Sequence, residues 1–142
     1  MVKHGVKEIS PREAWEMLRE EPGAVLIDVR SAMEHEYVGH PVGAINIPWR
    51  ELPDWSVDSN FALKVTQLLE SRQETVAGDK SQPLLLICRS GQRSQDAGEE
   101  LLRQGFTNVY NIIEGFEGRR DEEKHRSTIN GWRCRKLPWE QA

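Results

Sequence analysis

The segment Leu84-Leu85-Leu86-Ile87-Cys88-Arg89-Ser90-Gly91-Gln92-Arg93-Ser94 holds the residues whose types and spacing could do chemistry. An apolar run of strand character delivers one cysteine to its carboxyl end, a short loop containing Gly91 follows, and a helix is predicted to start at Gln92. In open α/β sheets, ligands bind off the carboxyl ends of strands. The first helical turn carries N–H groups that no intrahelical carbonyl accepts, and Gly91 lets the chain curl so that those groups converge. Convergent donors and the helix dipole favour negative charge, so a sulfur at their focus is expected as thiolate, the nucleophilic form. Arg89 and Arg93 add positive charge nearby. An inert core cysteine calls for no such cradle, so Cys88 is read as a nucleophile.

The elements that must position this loop alternate between strand and helix. Val6 to Ile9 is a short strand. Ser10-Pro11-Arg12-Glu13 then carries a capping box with proline at the first helical position, and Ala14, Trp15, Met17 and Leu18 form an apolar stripe until Pro22-Gly23. Ala24 to Ile27 has the apolar pattern of a strand covered on both faces. Ser31-x-x-Glu34 is a second capping box for a short helix, and Ala44 to Ile47 a further strand. Asn60 to Ser71 is predicted helical, with Phe61, Val65, Leu68 and Leu69 on one side, and Arg72 to Gln82 a surface loop. Leu84 to Ile87, the most apolar strand, belongs at the centre of the sheet. A helix from Gln92 to Gln104 turns Ala97, Leu101 and Leu102 inward and stops at Gly105, and Val109 to Ile112 is the last strand of the alternation. Strands separated by helices of this length imply an α/β fold built on a parallel sheet. The charged stretch from Gly118 to Arg126 reads as a solvated loop.

Composition narrows the class. The 142 residues match one domain, taken as 1–142. A net charge of -4 and a pI near 5.6 leave no basic excess for a nucleic-acid partner. The longest wholly apolar run, Leu84 to Cys88, is far too short to span a membrane, and Met1 to Lys7 has no apolar export segment, so a cytoplasmic location is expected. Two cysteines, Cys88 and Cys134, cannot build a disulfide scaffold. The four histidines lack zinc-site spacing, so no metal is expected, and His40 is read as fixing a turn. Cys134, in Arg133-Cys134-Arg135-Lys136, is read as a bystander thiol. Trp49 and Trp55 flank Pro53 and either wall a pocket or pack in the core, whereas Trp132 and Trp139 are assigned to the core or to anchoring the C-terminal segment.

Cys88-Arg89-Ser90-Gly91-Gln92-Arg93-Ser94 resembles the active-site loop of single-domain rhodaneses, sulfurtransferases that carry a persulfide on one cysteine. Leu26-Ile27-Asp28-Val29-Arg30 with Glu36 to Pro48 is similar to the N-terminal signature of that family. Val109 to Ile112, Gly115-Phe116, Gly131-Trp132 and Leu137-Pro138-Trp139 resemble its C-terminal segments. Departures are the position of Tyr37, the order Pro41-Val42, Glu114 where a glycine pair usually begins, and a charged insertion from Gly118 to Asn130 that could rim the site or simply be surface. The resemblance implies a rhodanese-like α/β fold, a central parallel sheet with helices on both faces. It implies further that Cys88 attacks the outer sulfur of a donor such as thiosulfate and passes it to cyanide or a thiol, without a cofactor. Arg89, Ser90, Gly91, Gln92, Arg93 and Ser94 would bind substrate, the loop N–H groups holding the persulfide and the two arginines attracting small anionic sulfur donors. Arg93 could instead pair with an acid such as Asp28. Asp28 and Arg30 would support the loop. The acceptor would be a low-molecular-weight or protein thiol, and the alternative role is a persulfide carrier for a dedicated protein partner. Cysteine-based phosphatases and arsenate reductases fit less well, because they place arginine after five intervening residues, and that position here is Ser94.

Overall fold

A computed structural model describes residues 5–72 and 80–142. The chain begins with β1 (Lys7–Ile9), α1 (Pro11–Glu20) and β2 (Val25–Asp28). Ser10 Oγ accepts from the Glu13 N–H at 3.1 Å while the Glu13 carboxylate accepts from the Ser10 N–H at 3.1 Å, so the predicted capping box starts α1. A π-helical turn over Glu34–Val38 leads through β3 (His40–Pro41) and β4 (Ile45–Asn46) into the hairpin β5 (Arg50–Glu51) and β6 (Ser56–Val57). Then come α2 (Phe61–Ser71), β7 (Leu84–Ile87), α3 (Gln92–Arg103), β8 (Val109–Ile112) and the short β9 (Trp139–Glu140). Within the predicted loop from Arg72 to Gln82, positions 73–79 lie outside the described residues.

The main sheet has five strands in the order β1-β8-β7-β2-β4, every neighbouring pair parallel, and β7 is the middle strand as its apolar sequence predicts. Side chains alternate between faces along β2 and β7, and both faces are covered. Val25, Ile27, Leu84 and Leu86 pack with Phe61, Val65 and Leu69 of α2 and with Ala97 and Leu101 of α3. Leu26, Leu85 and Ile87 meet Ala14 of α1 together with Phe116, Trp132 and Leu137 from the C-terminal segment. Each fully buried leucine or isoleucine here contributes about 1.5–3 kcal/mol relative to exposure. Two layers clamp β7 from opposite sides, so the position of Cys88 just beyond Ile87 is rigidly set.

Outside the sheet, the second capping box does form, with Ser31 Oγ accepting from the Glu34 N–H and Glu34 Oε1 accepting from the Ser31 N–H, but it leads into the π-helical turn. The charged insertion is folded around Asp121, whose carboxylate accepts from the N–H groups of Glu123 and His125 and, at 2.6 Å, from the Thr128 hydroxyl. Those bonds, Thr128 first, hold the Asp121 carboxyl below the usual carboxylate range. Trp132 is fully buried and donates to the Pro138 carbonyl, whereas Trp139 anchors the C-terminal segment by packing edge-on against Phe116 while remaining partly exposed. His40 fixes its turn as expected, with Nδ1 2.8 Å from the His35 carbonyl oxygen. Among the described residues no helix is long and apolar enough to cross a membrane.

Candidate active site

Cys88 follows the last residue of β7 and is 1% exposed, at the floor of a cavity of about 440 Å³. The loop that covers it is shaped by close backbone approaches. Gly91 sits at φ 113°, and a Cβ there would lie 2.6 Å from the Ile113 carbonyl oxygen. Gly115 sits at φ 70°, and a Cβ there would meet the Arg89 carbonyl carbon and oxygen at 2.5 Å. Phe116 donates its N–H to the Cys88 carbonyl at 2.8 Å, and Glu117 and Gly118 donate theirs to the Arg89 carbonyl at 3.0 and 3.1 Å. The carbonyls that would repel an anion are thus engaged by the 115–118 segment. Gly91 in turn donates its N–H to the Cys88 sulfur at 3.1 Å. Among the described residues this is the one loop N–H that donates to Sγ. Ser94 Oγ lies 3.1 Å from Sγ and is buried.

The cavity walls come from distant parts of the chain. Arg89, Ser90, Gln92 and Arg93 supply one side, Arg50 and Trp55 of the β5–β6 hairpin another, and Glu34 and Asp96 complete the lining. The two tryptophans separate: Trp49 is core, packed edge-on against Phe61, and Trp55 lines the cavity with its ring 5.2 Å from the Arg93 guanidinium. Arg50 donates to the Trp55 carbonyl at 2.9 Å and so fixes the hairpin tip.

Arg93 is not paired with Asp28, the acid suggested by sequence. Its Nη1 and Nη2 donate to Glu34 Oε1 and Oε2 at 2.7 and 2.9 Å, a bidentate pair. Burial works against both charges, yet the mutual hydrogen bonds and attraction outweigh it, holding the Glu34 carboxyl below and the Arg93 guanidinium above their ordinary values. Asp28 is instead committed to Arg30, whose Nε and Nη2 donate to it at 2.9 and 2.7 Å, and to His35 Nδ1 at 2.8 Å. Despite complete burial, these partners keep the Asp28 carboxyl below its usual range. The pair makes no direct hydrogen bond to the cysteine loop. Arg30 stacks over Phe116 at 4.7 Å and donates to the Gly39 carbonyl, so its support reaches the loop through Phe116, whose N–H holds the Cys88 carbonyl.

The insertion borders the site. Arg126 donates to the Gly118 carbonyl at 2.6 Å, and Gly118 in turn donates to the Arg89 carbonyl. Partial burial and the like charge of Arg89 push the Arg126 guanidinium below its ordinary value. Cys134 is a separate free thiol on the C-terminal segment.

The rhodanese-like domain model matches residues 10–122, most of the chain and all of the elements that frame Cys88. The chain belongs to the rhodanese family. A thiosulfate sulfurtransferase, GlpE of Haemophilus influenzae, is 32% identical over 112 residues, 79% of this rhodanese and 86% of the relative. An uncharacterised protein of Rickettsia rickettsii is 30% identical over 135 residues, covering 95% of this chain and 98% of its own. Among solved structures, Rv0390 from M. tuberculosis superposes with a TM-score of 0.76 at 37% identity, covering 97% of this chain and 99% of the other.

The sequence points to Cys88 and its loop and gives no site role to Arg50, Glu34, Asp96 or Asn111. Glu34 did carry a signal, as the acid of the Ser31 capping box, and the same Oε1 serves Ser31 and Arg93. Asn111 carries no local pattern, because its partners Gly91, Ser94 and Gln95 lie in another element, whereas Arg50 and Asp96 bond locally to Trp55 and Gln92 and only the fold brings them to the cavity.

Proposed function

We propose that this rhodanese is a sulfurtransferase in which Cys88 carries a sulfane sulfur from a thiosulfate-like anion to cyanide or a thiol. The observation that carries the reading is the Cys88 sulfur itself, at the carboxyl end of the central strand, beneath an open polar cavity, with the Gly91 N–H on it at 3.1 Å. The likeness to thiosulfate sulfurtransferases supports the choice of donor.

In the first half-reaction the Cys88 thiolate attacks the outer sulfur of thiosulfate. A sulfur–sulfur bond forms, the donor's own sulfur–sulfur bond breaks, and its electron pair leaves with sulfite. In the second, cyanide or a thiolate attacks the outer sulfur of the Cys88 persulfide and the thiolate returns. Both leaving groups are stable anions, so neither step requires a positioned proton donor or a cofactor. Arg89 and Arg50 draw the anion in, and Arg126 adds positive charge at the rim. Arg93 is bound to Glu34 and acts chiefly as a wall. A phosphoryl group fits poorly, since the loop from Cys88 to Arg93 has one residue fewer than a cysteine phosphatase requires.

The test is mass spectrometry of the protein after thiosulfate treatment. A gain of one sulfur atom, discharged by cyanide and absent in Cys88→Ser, is the expected result. No adduct, or turnover of p-nitrophenyl phosphate that Cys88→Ser abolishes, would overturn the reading.

A further inference from the structure

Ser94 and Asn111 form a buried hydrogen-bond system beside Cys88 and the Gly91 carbonyl. Ser94 Oγ lies 2.5 Å from Asn111 Oδ1, 3.1 Å from the Cys88 sulfur and 3.3 Å from the Gly91 carbonyl oxygen. A hydroxyl has one hydrogen for these three acceptors. The Asn111 amide is oriented by its other end, where Nδ2 donates to the Gly91 carbonyl at 3.0 Å and to Gln95 Oε1 at 3.2 Å. Its Oδ1 therefore faces Ser94 as a pure acceptor. The Gly91 carbonyl already receives the Asn111 amide and the Gln95 N–H. The shortest contact takes the hydrogen, which leaves a lone pair of Ser94 Oγ toward sulfur.

We infer that the Ser94 hydroxyl is a two-position donor set by Asn111: it accepts the Cys88 S–H while bonded to Asn111, and turns its hydrogen onto the sulfur when the thiol ionises. The thiol proton leaves to water in the cavity, and the Ser94 proton stays on its oxygen, so the change is a rotation about Cβ–Oγ. Ser94 donates to the reacting atom. Asn111 is a positioning residue that competes for the same hydrogen and so restrains ionisation. The inference rests on Cys88 being the reactive sulfur and adds what governs its readiness.

The charged groups around Cys88 are Arg93 and Asp96 of α3, Arg89 of the loop, Arg50 of β5, Glu34 of the π-helical turn and Asp28 of β2, the last held by Arg30 and His35. None is altered by substitution at Ser94 or Asn111. The pH dependence of Cys88 alkylation by iodoacetamide, followed by peptide-resolved mass spectrometry so that Cys134 is counted separately, reads the thiol with no sulfur donor present. Ser94→Ala removes the donor and is expected to raise the midpoint by about one pH unit, the value of a hydrogen bond to a charged group. Asn111→Ala frees the hydrogen for sulfur and is expected to lower it. In a Ser94→Ala background the Asn111 change should have no further effect, an outcome that a merely structural role for Asn111 would not produce. If Asn111→Ala does not fold, the uncharged Asn111→Leu, closer to asparagine in size, also removes the acceptor and should lower the midpoint. An unchanged midpoint in folded Ser94→Ala, or equal effects of the Asn111 change with and without the hydroxyl, overturns the inference. Loss of sulfur loading with these midpoint shifts intact would instead refute the sulfurtransferase reading alone.

Discussion

Replacing Glu34 by glutamine removes one carboxylate and leaves its volume, and the structure sets what this should cost. Glu34 Oε1 accepts from Arg93 at 2.7 Å and from the Ser31 hydroxyl at 3.0 Å, and Oε2 accepts from Arg93 at 2.9 Å. Glutamine keeps one acceptor but turns an NH2 group toward an arginine N–H, so one charge-assisted bond becomes a donor facing a donor. The Glu34 and Arg93 side chains are 20% and 14% exposed, between the surface pairs worth about 0.2–1 kcal/mol and the buried pairs whose breaking costs about 3–5. An intermediate loss of about 2 kcal/mol follows, equivalent to a fall in Tm of about 6 °C for a chain of this size. The sign with pH is fixed by the lowered Glu34 carboxyl. Its contribution is fully present above the unfolded value of about 4.3 and is lost as pH falls through the lower folded value. Urea unfolding of both proteins at pH 7 and at progressively lower pH is the assay, and the gap should narrow below about pH 4. The same substitution leaves three arginines and Asp96 lining the cavity, so KM for thiosulfate should fall at low salt and return toward the parent value at high salt. Equal stability at pH 7, or a gap that persists unchanged in acid, would refute the reasoning.

Gly115→Ala should destabilise the protein by at least about 1–2 kcal/mol from the left-handed backbone alone, with the contact against the Arg89 carbonyl added, and should slow Cys88 alkylation. Parent-like unfolding and alkylation curves would contradict the account of how the 115–118 segment shapes the loop. Arg89→Ala and Arg126→Ala should each reduce kcat/KM for thiosulfate, more at low than at high ionic strength, while leaving the second-order rate of alkylation by neutral iodoacetamide much less affected. A salt-independent loss would assign these residues to structure rather than to drawing in the anion.

What could be read from sequence shares one property: the signal lies within a few residues. The Ser10–Glu13 box starts α1, the apolar run Leu84–Ile87 is the middle strand, and Cys88 ends it. The Trp49–Trp55 pair shows the limit, because both indoles have the same chemistry, and only the fold of the hairpin sends one into the core and one to the cavity wall. The charged insertion reads as solvated, and much of it is, yet its first residue, Gly118, donates to the Arg89 carbonyl.

By itself, then, the sequence determined the strand–loop–helix that presents Cys88, the glycine that lets the loop close and the alternation that makes the sheet parallel, since each depends on local backbone preference or periodicity. The tertiary structure decided which charges face which. Glu34 rather than Asp28 holds Arg93 from 59 positions away, Asn111 reaches Ser94 across 17, and Gly115 lies against Arg89. Periodicity states which face of an element is buried. It carries no information on which of several chemically equivalent acids, amides or aromatics will stand opposite, because that is settled only when distant elements pack at a particular distance and register.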